Sequence, residues 1–191
     1  MKKIVAVLGD AIVEKGSEKY QTAYEMGKRL VDEGYRVQCG GLGGVMTAVC
    51  EGARASENYS EGDTIGLVPS FDREKANEYV DIVIPTGLDL VRNALTGNAD
   101  AVIAIGGGAG TLSEMAIAWS IHRLIIAFRT FPGWAQNLAD TRLDARQRYP
   151  EIPDDRVYGV DTPDEAISII REKMHLYTRS FEGISHINPK G

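Results

Sequence analysis

The chain has 191 residues, 43% of them hydrophobic and 25% charged, with a formal net charge of −6. These proportions fit a globular chain with a sizeable core and exclude collagen-like, low-complexity and disordered classes. The negative balance speaks against an electrostatic footprint for duplex nucleic acid or an anionic membrane, so neither is expected as a partner.

Short β-branched runs alternate with helical stretches along the chain. Ile4–Leu8 reads as a buried strand, closed by Gly9-Asp10. Ser17 to Gly34 reads as a helix with Tyr20, Ala23, Met26 or Gly27, Leu30 and Val31 on one face and Gly34 as its stop. Tyr35–Cys39 is the next strand, and a glycine cluster leads from it into a helix over Val45–Ser56. Strands are expected at Thr64–Val68 and Val80–Ile84, with a charged loop, Asp72 to Lys75, between them. A short helix at Leu88–Leu95 precedes the strongest strand, Ala101–Ile105. After a second glycine cluster come a helix over Leu112–His122, a strand at Leu124–Phe128 and a helix near Trp134–Arg142. Val157–Val160 is a last strand and Pro163–Tyr177 a last helix, and the tail 179–191 has no clear period.

Near-continuous apolar strands alternating with helices imply an α/β fold, a Rossmann-like, doubly wound, mainly parallel sheet covered on both faces. Residues 1–178 are expected to form one such domain, followed by an irregular tail over 179–191. Cys39 and Cys50 read as reduced thiols, and Cys39 as a small buried hydrophobe. With no apolar run of membrane length, a cytoplasmic location is expected. His122, His175 and His186 are too scattered to suggest a metal site, and no cofactor is implied.

Glycine is the unusual component, 21 residues or about 11% against a usual ~7%. Eight of these lie in two clusters, Gly40-Gly41-Leu42-Gly43-Gly44 and Gly106-Gly107-Gly108-Ala109-Gly110. Each falls between the carboxyl end of a strand and the amino end of a helix. There, free backbone N–H groups and the helix dipole favour an anion, and missing side chains let it approach. Two such junctions are expected to clamp one phosphate-bearing ligand, with Gly9 and Asp10 at the same edge of the sheet. The alternative is that the glycines serve only turns and close packing. A Walker loop is absent, because Gly110-Thr111 lacks the lysine, and the dinucleotide fingerprint does not follow the first strand.

The segments Gly40-Gly41-Leu42-Gly43-Gly44-Val45-Met46 with Ala48, and Gly107-Gly108-Ala109-Gly110-Thr111-Leu112-Ser113-Glu114, resemble the paired signatures of the LONELY GUY-type family, often labelled lysine-decarboxylase-like. The resemblance implies a Rossmann-like fold and homo-oligomers, at least dimers. Members include phosphoribohydrolases that release the base from a nucleoside 5′-monophosphate. A sister branch with the molybdenum cofactor carrier proteins, which bind a pterin phosphate, is more similar across Ile84 to Leu88 and Arg92-Asn93. By the resemblance, Arg92 steadies phosphate or ribose and Glu114 supports the positive charge that develops on the ribose. Asn93 stands where the hydrolases carry lysine, Gly106 where they carry proline, and the first glycine loop is one residue shorter.

The candidate ligand contacts are therefore Gly9, Asp10, Gly40, Gly41, Gly43, Gly44, Met46, Arg92, Asn93, Gly107, Gly108, Gly110 and Thr111. Arg92 and Glu114 are catalytic only in a hydrolase. Glu114 has a competing role, because Thr111 to Glu114 fits a capping box with Thr111 as N-cap. Arg73 and Asn77 are expected to be solvated. The helix over Leu112–His122 is apolar nearly all round, which predicts burial in the core or against another subunit. The preferred function is binding of a phosphorylated small ligand, a nucleoside monophosphate or a pterin phosphate such as molybdenum cofactor. The alternative is phosphoribohydrolysis.

Overall fold

A computed structural model describes residues 1–181; the tail expected over 179–191 lies outside the described residues from 182 on. The strands are β1 (Ile4–Gly9), β2 (Arg36–Cys39), β3 (Thr64–Val68), β4 (Ile82–Pro85), β5 (Ala101–Ile105), β6 (Leu124–Phe128) and β7 (Tyr158–Val160). All pair in parallel in one sheet of order β4-β3-β2-β1-β5-β6-β7. The α-helices are α1 (Glu18–Asp32), α2 (Val45–Arg54), α3 (Asn93–Thr96), α4 (Ala109–Ser120), α5 (Trp134–Leu138) and α6 (Pro163–Lys173). The fold is the expected Rossmann-like one.

Successive strand residues point to opposite faces, and the two faces carry different side chains. Val5, Val7, Val37, Ile103, Ile105 and Ile126 join a core with the inner faces of α1, α2 and α6. Ala6, Leu8, Val102, Ala104, Ile125 and Ala127 join a second core with Met115, Ala118 and Trp119 of α4 and Ala135 of α5. The alanines on this second face leave room for Trp119, which is fully buried.

Helix α1 follows the sequence rules closely. Ser17 caps it by accepting from the Tyr20 N–H at 3.3 Å, its predicted apolar residues are all buried, and Gly34 ends it at φ +80°. Its contact with α2 uses residues that carry no side chain. A Cβ on Gly27 would overlap the Val49 carbonyl, and one on Gly52 the Tyr24 carbonyl, so the two helices touch backbone to backbone.

Several boundaries moved. The helix expected at Leu88–Leu95 is a 3₁₀ turn, Asp89–Arg92, that runs into the four-residue α3. Helix α5 stops at Leu138, because Ala139 is extended and Asp140 sits at φ +61°. The last helix ends at Lys173 and continues as a 3₁₀ turn over Met174–Leu176. Helix α4 begins at Ala109 rather than Leu112, and it is not covered on every side. Ser113, Ala116, Ile117 and Ser120 are only half-buried, and Ser113 and Ile117 line a groove bounded by Leu90, Val91 and Ala94. Among the described residues, no helix is long and apolar enough to cross a membrane.

Candidate functional site

Strand order reverses between β1 and β5: β2 to β4 extend from one side of β1, while β5 to β7 extend from the other. In an open parallel sheet a crevice forms at such a point, outside the carboxyl ends of the strands. Here it is a cleft of about 240 Å³. Gly9 and Asp10 enter it from the end of β1, Gly40 and Met46 from the junction of β2 with α2, and Gly108, Gly110 and Thr111 from the junction of β5 with α4. Arg92, Asn93 and Glu114 complete it. Gly41, Gly43, Gly44 and Gly107 lie behind this lining and shape the turns.

The two junctions differ in what they offer a ligand. At the first, backbone meets backbone. The Val45 N–H donates to the Asp10 carbonyl at 2.9 Å, and a Cβ on Gly43 would stand 2.8 Å from the Ala11 carbonyl. Gly44, at φ +63°, is pressed onto the Asp10 carbonyl. Close packing accounts for these glycines, as it does for Gly9 against the Ile105 carbonyl. At the second junction α4 starts within the glycine cluster. The N–H groups of Ala109, Gly110 and Thr111 therefore lie in its first turn, where the helix supplies no acceptor. Gly108 and Gly110 have open space where a Cβ would be, and neither has a positive φ.

The second loop is braced from outside. The Trp134 N–H donates to the Gly107 carbonyl at 2.9 Å and the Ala135 N–H to the Gly106 carbonyl at 3.0 Å. Gly106 has φ +64°, which no proline adopts, so the hydrolase-type residue does not fit this backbone. A Cβ there would also stand 2.6 Å from a carboxylate oxygen of Asp10, whose partner is the Lys19 ammonium at 2.6 Å. Sequence reading missed Lys19, at the start of α1, because nothing local marks it.

Glu114 does not cap α4. With the helix starting at Ala109, it falls in the second turn, buried and facing inward. Its Oε1 accepts from Nη1 of Arg92 at 3.1 Å, and the same nitrogen donates to Thr96 Oγ1 at 3.1 Å. Burial raises the Glu114 carboxyl to about 7, outweighing the opposing effect of the arginine. Arg92 is not a solvated helix residue either. It lies over Gly40, where a Cβ would stand 2.7 Å from both terminal guanidinium nitrogens. Asn93 is buried and donates to Ser113 Oγ at 2.7 Å, tying α3 to α4. Cys39 is fully buried beneath the first loop, with its sulfur 3.6 Å from that of Cys50.

Asn77, expected to be solvated, instead clamps the first loop. Its backbone N–H donates to the Gly41 carbonyl at 2.8 Å and its side-chain amide to the Leu42 carbonyl at 2.8 Å. Asn77→Ala is expected to cost about 1–2 kcal/mol, the net worth of a side-chain hydrogen bond or two. That corresponds to a fall in Tm of roughly 2–8 °C. Thermal unfolding checks the size, and amide chemical shifts should change chiefly over residues 40–44.

A family model described as the SLOG cluster4 family matches residues 2–166. An uncharacterized protein from Archaeoglobus fulgidus is 37% identical over 106 residues, 55% of this chain and 67% of that protein. The molybdenum cofactor binding protein from the phototrophic bacterium Rippkaea orientalis superposes with a TM-score of 0.71 at 30% identity, over 90% of this chain and 97% of that one. The structural-genomics target TM1055 gives a TM-score of 0.75 at 27% identity, over 89% and 99%. The DNA processing protein A from Helicobacter pylori, at 17% identity and TM-score 0.59 over 89% and 80%, is similar in fold alone.

Proposed function

The chain belongs to the SLOG cluster4 family, close to the molybdenum cofactor carrier branch that its glycine signatures resemble, and from that premise we propose that it binds a phosphorylated small ligand in the switch-point cleft. The phosphate sits on the first turn of α4 and against Arg92. A pterin phosphate is the favoured class, in keeping with the Rippkaea relative, and a nucleoside monophosphate is the other member of the panel to be tested.

The observation that carries this reading is the pair Gly108 and Gly110. Both border the cleft, and neither fold packing nor backbone conformation accounts for a missing side chain there. Close approach of a ligand to the backbone does account for it. Two departures from the hydrolase pattern favour binding over hydrolysis: Gly106, whose φ of +64° excludes the proline that the hydrolases carry there, and Asn93, which stands in place of their lysine.

Gly110→Ala tests the reading. Alanine is the better helix former by about 1 kcal/mol, and its Cβ meets only open space. The unliganded variant is expected to melt at or a few degrees above the wild type. A phosphorylated ligand at 100 times its dissociation constant should stabilise the wild type by about 2.7 kcal/mol, and Gly110→Ala should lose that response. An undiminished response in the variant, or none in the wild type to any member of the panel, overturns the proposal. Base released from a nucleoside monophosphate, seen by chromatography, would assign the cleft to hydrolysis instead.

A further inference from the structure

Two groups of opposite charge stand where an incoming anion would arrive. Arg92 is held in place: Nη1 is shared between Glu114 and Thr96, and the guanidinium rests on Gly40. Its Nε is buried without an acceptor among the described residues. Glu114 is the carboxylate that balances it, and both side chains are largely withdrawn from water, 13% and 8% exposed. An anion on the first turn of α4 and on Arg92 therefore shares this arginine with a carboxylate that solvent screens poorly.

Resting on the reading of the cleft as an anion site, we propose that Glu114 takes up one proton from solvent when the anion binds, and so determines the charge state the site accepts. The balance is simple. The positive charge of Arg92 passes from Glu114 to the ligand, and the proton goes to the Glu114 carboxylate. Its carbonyl oxygen still accepts from Nη1, while the new O–H is a donor for the anion. A carboxylate that stayed ionised would repel a dianion.

The other groups facing Glu114 come from several elements. Arg92 lies on the turn before α3, Thr96 on α3, and Cys39 on β2, where the Cys50 hydrogen bond lowers the Cys39 thiol. Asp10, just past the end of β1, also borders the cleft, and its partner is Lys19 of α1. With the free Glu114 carboxyl near 7, proton uptake is largest above neutrality.

Sulfate is the probe, because it stays a dianion throughout the range used; inorganic phosphate is the second. Calorimetry at pH 8, in two buffers of different ionisation heat, is expected to show close to one proton taken up per sulfate. Sulfate affinity should fall about tenfold from pH 8 to pH 9 and change little from pH 5 to pH 6. Glu114→Gln keeps every other titrating group and is expected to bind with a nearly flat pH profile. Sulfate binding by the wild type without proton uptake at pH 8 overturns the proposal and leaves the anion site standing. So does a pH profile that persists in Glu114→Gln. Failure of both anions to bind at any pH overturns the proposal together with the anion site.

Discussion

Arg92→Ala is expected to weaken binding of a phosphorylated ligand by at least about 100-fold, near the low end of the 2–5 kcal/mol lost when one side of a buried charged contact is truncated. The unliganded fold should suffer less. Breaking a buried ion pair commonly costs 3–5 kcal/mol, because a bare charge is left behind. Glu114 has a way out, since burial already raises it to about 7 and loss of the guanidinium, which lowers it, lets the carboxylate take up a proton. The expected loss is about 1–2 kcal/mol, a fall in Tm of roughly 2–8 °C. Calorimetric titration and thermal unfolding of one preparation separate the two effects. The pH dependence carries a further sign. Glu114 binds its proton more readily folded than unfolded, so its contribution to stability declines as pH rises from the ordinary carboxylate value toward about 7. In Arg92→Ala, without the opposing cation, that decline should extend to higher pH.

Gly52→Ala should be the most destabilising of the alanine substitutions. The new Cβ would overlap the Tyr24 carbonyl, a backbone atom that cannot swing aside, and the reciprocal contact of Gly27 with the Val49 carbonyl leaves no slack. Helices α1 and α2 must move apart. Alanine returns about 1 kcal/mol of helix propensity, and the net cost is expected to reach about 3 kcal/mol, or roughly 6–12 °C in Tm. Because α2 begins at the first glycine loop, ligand affinity should fall as well. Chemical denaturation with a ligand titration checks both. Gly52 and Gly110 thus oppose each other: one change from glycine to alanine strains a helix crossing, the other meets empty space.

The strands show where the sequence was legible. Thr64–Val68, Ala101–Ile105 and Leu124–Phe128 have the boundaries their apolar runs predict, because both faces of these strands are buried. At the edge of the sheet that signal fades. The strand expected at Val80–Ile84 is Ile82–Pro85, with Ile82 and Ile84 each 42% exposed, while Val80 belongs to the turn before it. In the cleft, composition identified the glycine loops but misplaced the start of α4. Glycine reads as loop, yet Gly110 is helical, and the first turn itself borders the cleft. Thr111 and Glu114 had the spacing of a capping box and lost it with that shift. Lys19, Asn77 and the helix-crossing role of Gly52 left no trace in any pattern. Asn77 and Gly52 act through contacts with residues far along the chain, and Lys19 through an ion pair with Asp10 that no local periodicity marks.

The switch point also governs when the cleft comes into being. Strands β1 to β4 pair in the order they are made, but the other flank of β1 waits for β5. The Ile4 N–H meets the Asp100 carboxylate across 96 residues of chain, at 2.8 Å. Closing so long a loop is an entropic cost met before the contact returns anything, and such pairings form slowly. Arg92 leaves the ribosome ahead of β5, and the first turn of α4 after it. The cleft is therefore assembled on the seam between an early half and a late half of the molecule. A ligand bound there as proposed would tie the two halves together, so occupancy would act as a clasp on the join between β1 and β5.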